Sequence, residues 1–204
     1  MGTGAKSLSK IFSLLLYLPA KAARRGSSRP IPPTASPHWT GARRIADSRR
    51  TSCRAASLQV SQERQLFARK MTNMFGVVPG TKYGWPKNVL HWKGIHRSIL
   101  DICATAPAHF VIADGVVAME GNGPLNGSHR HLGKIVLADD PVAADFTCAR
   151  LMGLNPHAVW HLDRAAHFLG NGSHDRIDMI AEGLPRNTVP FDVLPEFASL
   201  QTRV

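Results

Sequence analysis

Residue types suited to chemistry are concentrated between residues 114 and 127, which include Asp114, Glu120 and four glycines. Glycine permits sharp turns and lets the backbone approach a ligand closely. The stretch follows the apolar residues 110–113, which the pattern predicts to be a buried strand. Carboxylates at the end of such a strand are where open α/β sheets bind ligands. We therefore predict a long glycine-rich loop that carries a site, with Asp114 and Glu120 as catalytic residues and Gly121, Asn122 and Gly123 as ligand-binding residues.

Asp145 is a second candidate because it lies on the apolar side of a predicted helix. At 100° per residue it falls between Ala149 and Met152, close to Phe146. A buried carboxylate must be paired, hydrogen-bonded, protonated or bound to a ligand, since an uncompensated buried charge is costly. A structural role, as a cap or in a buried Asp–Lys pair, and a catalytic role both remain open.

Asp114, Glu120 and Asp145 together suggest a cluster of oxygen ligands. Carboxylates at the ends of strands suit hard cations such as Mg²⁺, Mn²⁺ or Ca²⁺. In this hypothesis Glu120 carries a proton, and Asp145 is a metal ligand or orients the substrate. Asp140 is instead predicted to cap a helix, because Pro141 follows it at the first helical position.

The other metal-binding residue types give weaker patterns. The chain has three cysteines, and because no two of them form a CxxC pair, they predict neither a zinc ribbon nor ligands for an iron–sulfur cluster. His157 and His161 are four residues apart on a predicted helix, and we expect them to be an exposed pair. Serine-nucleophile and Cys–His patterns are absent from the sequence.

Alternating apolar patterns and breakers outline the elements that would position these residues. Strand, helix and strand in succession predict an α/β fold, with a mixed or parallel sheet flanked by helices and an incomplete set of strands. Helices are expected at 66–75, 89–106, 142–152 and 156–168, and strands at 110–113, 134–138 and 176–181.

The positive charge of the chain is concentrated in its first 60 residues. The net charge is +11, yet residues 1–60 hold eleven Lys and Arg against a single acid, Asp47, which leaves residues 61–204 close to neutral. A specific nucleic-acid role is therefore not expected. No apolar run approaches the roughly 20 residues of a membrane span. The leader resembles a secretory signal, a transit peptide or text translated from a wrong frame, and we expect it to be disordered. A cytoplasmic location is expected.

Three segments in order resemble the family called domain of unknown function 362. They are KMTNMFGVVPG at 70–80, DGVVAMEGNGP at 114–124, and DPVAAD at 140–145 with ARLMG at 149–153. The resemblance implies an α/β fold, a ligand-binding role for Lys70 and Asn73, and an association with ferredoxin-type iron–sulfur modules. The earlier part of the family domain is not recognisable in residues 1–60. The family's lysine is also displaced in the Lys70–Asn73 segment.

These patterns predict three regions: a leader at 1–60, a partial α/β domain at 61–190 and a tail at 191–204. Three functions follow. The first is an enzyme for a small anionic molecule, which uses the carboxylates with or without a divalent metal. The second is a redox accessory protein that works with a ferredoxin-type iron–sulfur partner. The third is a truncated fragment without function.

Overall fold

The computed structural model describes residues 15–18, 53–59, 71–84, 88–123, 126–180 and 190–202, and of the first two segments the backbone alone. The predictions for most of the leader, including its disorder, therefore lie outside the described residues. Lys70, predicted to bind a ligand, lies outside them as well.

Two long strands form the centre of a mixed sheet. β3 (Phe110–Asn122) and β4 (Asn126–Ala138) are antiparallel. β1 (Leu15–Leu18) pairs in parallel with β4, and β2 (Cys53–Gln59) pairs in parallel with β3, giving the order β1-β4-β3-β2. The prediction of a mixed α/β fold is confirmed. An all-parallel sheet is wrong, because a connection as short as the one between β3 and β4 can join only antiparallel strands.

The predicted glycine-rich loop is also wrong, because most of it belongs to a β-hairpin. Residues 114–122 continue β3 and pair with β4 as far as Asn122 opposite Asn126. A register irregularity between Gly115 and Val117 marks a bulge, a feature that adds a residue to one strand without ending it. Gly121 has φ 75°, close to the end of the hairpin. The glycines thus fit a bulged, sharply turned hairpin rather than an open loop.

Two of the predicted helices are interrupted, whereas the helix predicted at 142–152 is observed at Pro141–Leu151. Gly94, with φ 100°, separates two helices within the predicted 89–106 helix. The predicted 156–168 helix is a 3₁₀ turn followed by one short helix, and no strand element occupies residues 176–180. The α-helices are α1 (Gly80–Tyr83), α2 (Asn88–Trp92), α3 (Ile95–Thr105), α4 (Pro141–Leu151) and α5 (Trp160–Ala165), and the 3₁₀ turns are Thr72–Val77, Pro156–Ala158, His174–Arg176 and Pro195–Leu200.

α4 is the most deeply buried element of the described chain. Asp140 caps it as predicted, accepting hydrogen bonds from the amides of Val142 at 2.8 Å and Ala143 at 3.1 Å. The Asn171 amide also donates to Asp140, at 2.7 Å. Residues 142–149 are all buried, and a helix that is buried all round must be covered on more than one side. β3 and β4 pack against α4, and so does α5.

The chain after residue 189 contributes to this cover. Phe191 is fully buried and Leu200 nearly so, both within the main hydrophobic core. The Phe191 amide donates to the Met152 carbonyl at 2.9 Å, and Leu154 forms an antiparallel bridge with Gln201. The segment predicted as a tail therefore holds the C-terminal end of α4 in place.

Gly153→Ala should destabilise the chain by about 2–4 kcal/mol. Gly153 ends α4 in the predicted left-handed conformation, with φ 71°. A Cβ there would lie 2.7 Å from the Cα of Pro190, so backbone would have to move in addition to the ~1–2 kcal/mol left-handed penalty. Gly84→Ala measures the cost of a positive φ without a neighbouring atom, because its φ is 74° and a Cβ would meet nothing within 4 Å. Urea unfolding of both variants measures the losses, and a loss in Gly153→Ala no larger than the ~1–2 kcal/mol left-handed penalty would contradict the prediction.

Candidate functional site

Glu120 lies on β3 and fastens the hairpin to the C-terminal segment. Its Oε2 atom is 2.7 Å from Nη1 of Arg130, which lies on the paired strand β4. The Asp192 amide donates to the same oxygen at 3.1 Å. The Arg130 guanidinium lies over the Phe191 ring, 4.9 Å from its centroid, and also donates to the Pro190 carbonyl. The Glu120 side chain is only 14% exposed. The contacts among Glu120, Arg130 and residues 190–192 therefore stabilise the fold, whether or not Glu120 also has a catalytic role.

The predicted ligand-binding residues 121–123 follow Glu120 at the end of β3 and the start of the hairpin turn. The Gly121 amide donates to the Asp192 carbonyl at 2.8 Å, so its N–H is already engaged. Gly123 is buried in the turn. The Oδ1 atom of Asn122 is buried and, within the described residues, has no hydrogen-bond partner. Of the three, Asn122 therefore has an acceptor that a ligand could use.

Asp145 is fully buried in α4, as its position on the apolar side predicts. Its Oδ2 atom accepts a hydrogen bond from the Met71 amide at 3.0 Å. The Cys103 thiol lies 3.7 Å from the Met71 carbonyl. Burial, and secondarily the nearby Asp145 carboxylate, raise the pKa of Cys103 to about 12, so this thiol stays protonated and is not a nucleophile at neutral pH. Asp145 thus connects α4 to the residues that precede the Thr72–Val77 turn.

Asp114 occupies an exposed position of β3. Its Oδ1 atom accepts a hydrogen bond from the Val116 amide at 3.0 Å, next to the bulge at Gly115. This is the local side chain-to-backbone bond that aspartate forms in turns. The contact gives Asp114 a structural role at the bulge.

The described geometry does not bring the three predicted catalytic carboxylates to common partners. Asp145 is bound to Met71, whereas the Glu120 cluster joins α4 at Met152, seven residues later or about 10 Å along the helix axis. Asn73 follows Met71 by two residues and so lies on the Asp145 side. Among the described residues, no group of three or more His, Cys, Asp or Glu is arranged to hold a metal ion.

Sequence reasoning missed a pair of histidines between α3 and α5, of which His161 is buried and His96 half-buried. Nδ1 of His96 is 2.8 Å from Nδ1 of His161, and the ring centroids are 5.0 Å apart. The rings therefore meet nearly edge to edge, with one nitrogen donating and the other accepting. The prediction of an exposed His157–His161 pair is wrong, because His161 is fully buried. The sequence could have indicated this burial, because His161 is four residues from Ala165 and so lies on the same helix face as a residue that is also buried.

His161 must remain neutral in the folded chain. Burial, and secondarily His96, lower its pKa to about 3. Its Nε2 atom is buried without a hydrogen-bond partner in the described residues. His157, by contrast, lies at the surface, with its Nδ1 atom 3.0 Å from the Asp163 carboxylate.

The surface beside this pair carries exposed aromatic and cationic side chains. Trp92 is 80% exposed and Trp160 40% exposed. The centroids of the Trp160 and His96 rings are 6.1 Å apart. The Arg164 guanidinium carbon lies over the Trp160 ring, 5.8 Å from its centroid. We call this surface the aromatic–basic patch and define it by five residues: Trp92, Lys93, Arg97, Trp160 and Arg164. The three cations are exposed.

No helix in the described part of the chain is long and apolar enough to cross a membrane.

Comparison with known proteins covers part of the region described above, from residue 67 to residue 150. The family model described as Domain of unknown function (DUF362) matches residues 67–150. A thylakoid-associated protein of Synechocystis sp. is 33% identical over 90 residues, which cover 43% of this chain and 28% of that protein. The chain therefore matches less than a third of the relative's length. No solved structure matches the chain significantly. The predicted resemblance to the DUF362 family is therefore confirmed over residues 67–150, which match the family model.

Proposed function

We propose that the chain is an accessory protein that binds a ferredoxin-type iron–sulfur partner, rather than an enzyme that acts alone through its carboxylates. One observation carries the proposal: each predicted catalytic carboxylate already serves as an internal acceptor. Asp145 binds the Met71 amide, Glu120 binds Arg130 and the Asp192 amide, and Asp114 binds the Val116 amide. Carboxylates engaged in this way stabilise the fold, which gives each of them a structural role without catalysis.

Two further points agree with an accessory role. The chain has three cysteines, whereas a [2Fe–2S] or [4Fe–4S] cluster takes four cysteine ligands. A cluster would therefore come from the partner. The family resemblance implies such a partner.

Calorimetric titration of the full chain with a purified acidic [2Fe–2S] ferredoxin tests the proposal. We expect saturable binding at low ionic strength that weakens as salt is added, because redox encounters are small and steered by charge. The control is a titration with lysozyme, a basic protein, which should give no binding. Absence of ferredoxin binding at low ionic strength would contradict the proposal.

A second candidate, the carboxylate enzyme, is supported by the unpartnered Asn122 Oδ1 atom, two residues from Glu120 on the same strand. In this alternative Glu120 carries a proton and a ligand donates to Asn122. Metal analysis of the purified chain and of Glu120→Gln tests it. A divalent ion bound by the original chain and lost from the variant supports the enzyme, and an ion-free chain counts against its metal-assisted form.

The third prediction, a fragment without function, implies an absence of cooperative unfolding. The buried core of the described residues leads us to expect a single cooperative transition. The urea titration proposed for Gly153→Ala includes the unaltered chain and so measures this as well.

A further inference from the structure

The aromatic–basic patch comprises exposed side chains from the end of α2, the start of α3 and α5, and both α2 and α5 pack against α3. His96 begins the contact: its ring touches Trp160 on one side and its nitrogen meets His161 on the other. Trp92, Lys93 and Arg97 lie within four residues of His96 along the chain. Two exposed tryptophans beside exposed arginines are the combination enriched where protein interfaces concentrate their binding energy.

We propose that the aromatic–basic patch is the docking surface for the partner, and that the partner presents an acidic protein surface; this inference rests on the proposed accessory function. Lys93, Arg97 and Arg164 are the exposed charges of the patch, and all are positive. The nearest carboxylates, Asp101 and Asp163, are only half-exposed. Asp163 already pairs with His157, and Asp101 interacts with Arg97.

Charge decides against two other occupants. A second copy of the chain would bring the same cations face to face, and like charges at an interface cost several kcal/mol. The first 60 residues of the chain carry eleven Lys and Arg and one acid, so the leader is repelled as well. An acidic partner would be attracted to the patch, whereas a second copy of the chain and the basic leader would be repelled from it.

A membrane surface is also disfavoured. Recognition of anionic lipid takes clusters of about 4–8 Lys or Arg near the membrane surface. The patch offers three. Three cations around two tryptophans match the centre of a small protein interface better than a lipid-binding segment.

The histidine pair keeps the patch in its binding geometry. Trp160 is the first residue of α5, and the adjacent His161 is bound to α3 through His96. The Trp160 ring is therefore positioned by a partly buried hydrogen bond of the next residue, His161. A preformed surface spends less conformational entropy on binding.

The test compares three forms of the full chain by calorimetric titration with the acidic ferredoxin. In the patch variant, Lys93, Arg97 and Arg164 are each replaced by glutamate. In the control, the exposed Lys82, Arg176 and His174 receive the same replacement, which lowers the net charge by five instead of six because histidine is neutral at pH 7. We expect the patch variant to bind the ferredoxin at least roughly tenfold more weakly than the original chain. The control should bind within about twofold of the original chain when both are titrated at the same ionic strength. Trp160→Ala, which leaves the charges in place, should weaken binding by roughly tenfold.

The outcomes separate this inference from the proposed function. If all variants still bound the ferredoxin, the patch would not be the docking surface, but the proposed accessory function would remain supported. Absence of ferredoxin binding, together with patch-dependent binding of a second acidic protein that has no metal cluster, would support the patch and overturn the iron–sulfur partner. Patch-dependent self-association in gel filtration, or patch-dependent binding to vesicles of anionic lipid, would overturn the acidic protein as the occupant.

Discussion

Lowering the pH from 7 to 5 should destabilise the chain by about 2 kcal/mol through His161 alone. Burial lowers the pKa of His161 from 6.5 to about 3, so between these values the unfolded chain binds a proton that the folded chain does not. Stability from this group is complete above pH 6.5 and falls as the pH drops, by up to ~1.4 kcal/mol per pH unit. Urea unfolding at a series of pH values measures the slope.

His161→Leu should remove this part of the pH dependence, although it also removes the bond to His96. The control is His157→Leu, because His157 is the same residue type with 57% of its side chain exposed. We expect the control to keep the acid sensitivity of the original chain. If the free energy of unfolding depended on pH equally in the original chain and in His161→Leu, the prediction would be contradicted. The His96–His161 pair would then accept a proton without opening the α3–α5 junction.

Asp145→Leu should cost about 2–4 kcal/mol of unfolding free energy. The change removes the acceptor of the Met71 amide inside the core, and a buried donor left unpaired loses its full solvation. Leucine is close to aspartate in shape, so a cavity contributes little. Circular dichroism during urea unfolding provides the measurement.

Two controls separate a lost hydrogen bond from a lost charge. Asp145→Asn keeps an acceptor oxygen and should cost less than Asp145→Leu, about 1–2 kcal/mol. Asp114→Asn changes the same residue type at an exposed position and should alter stability by less than about 0.5 kcal/mol. A loss in Asp114→Asn as large as in Asp145→Leu would contradict the assignment of Asp145 as the buried connection.

The features predicted well from the sequence are those that a few neighbouring residues determine. Asp140 followed by Pro141 predicts the start of α4, and Gly153 predicts its end, because caps are local chemistry. The burial of Asp145 follows from helical spacing alone. The start of β3 at Phe110 follows from its apolar run.

The features that failed depend on partners distant in the sequence. Residues 114–122 are rich in glycine and suggest a loop, but pairing with β4 makes them a strand, and tertiary context often overrides propensity in this way. The convergence of Asp114, Glu120 and Asp145 required knowledge of which residues lie beside each one. Arg130, Asp192 and Met71 are 10, 72 and 74 residues away from their carboxylate partners.

The burial of Phe191 and Leu200 makes the end of the described chain resistant to trimming. An exopeptidase that works inward from the C-terminus would meet Gln201, which bridges Leu154 and donates to the Phe191 carbonyl. Digestion should therefore stall there until the chain unfolds globally. Shortening the chain to residue 189 would keep the Glu120–Arg130 pair but remove the Asp192 amide from Glu120 and the Pro190 carbonyl from Arg130.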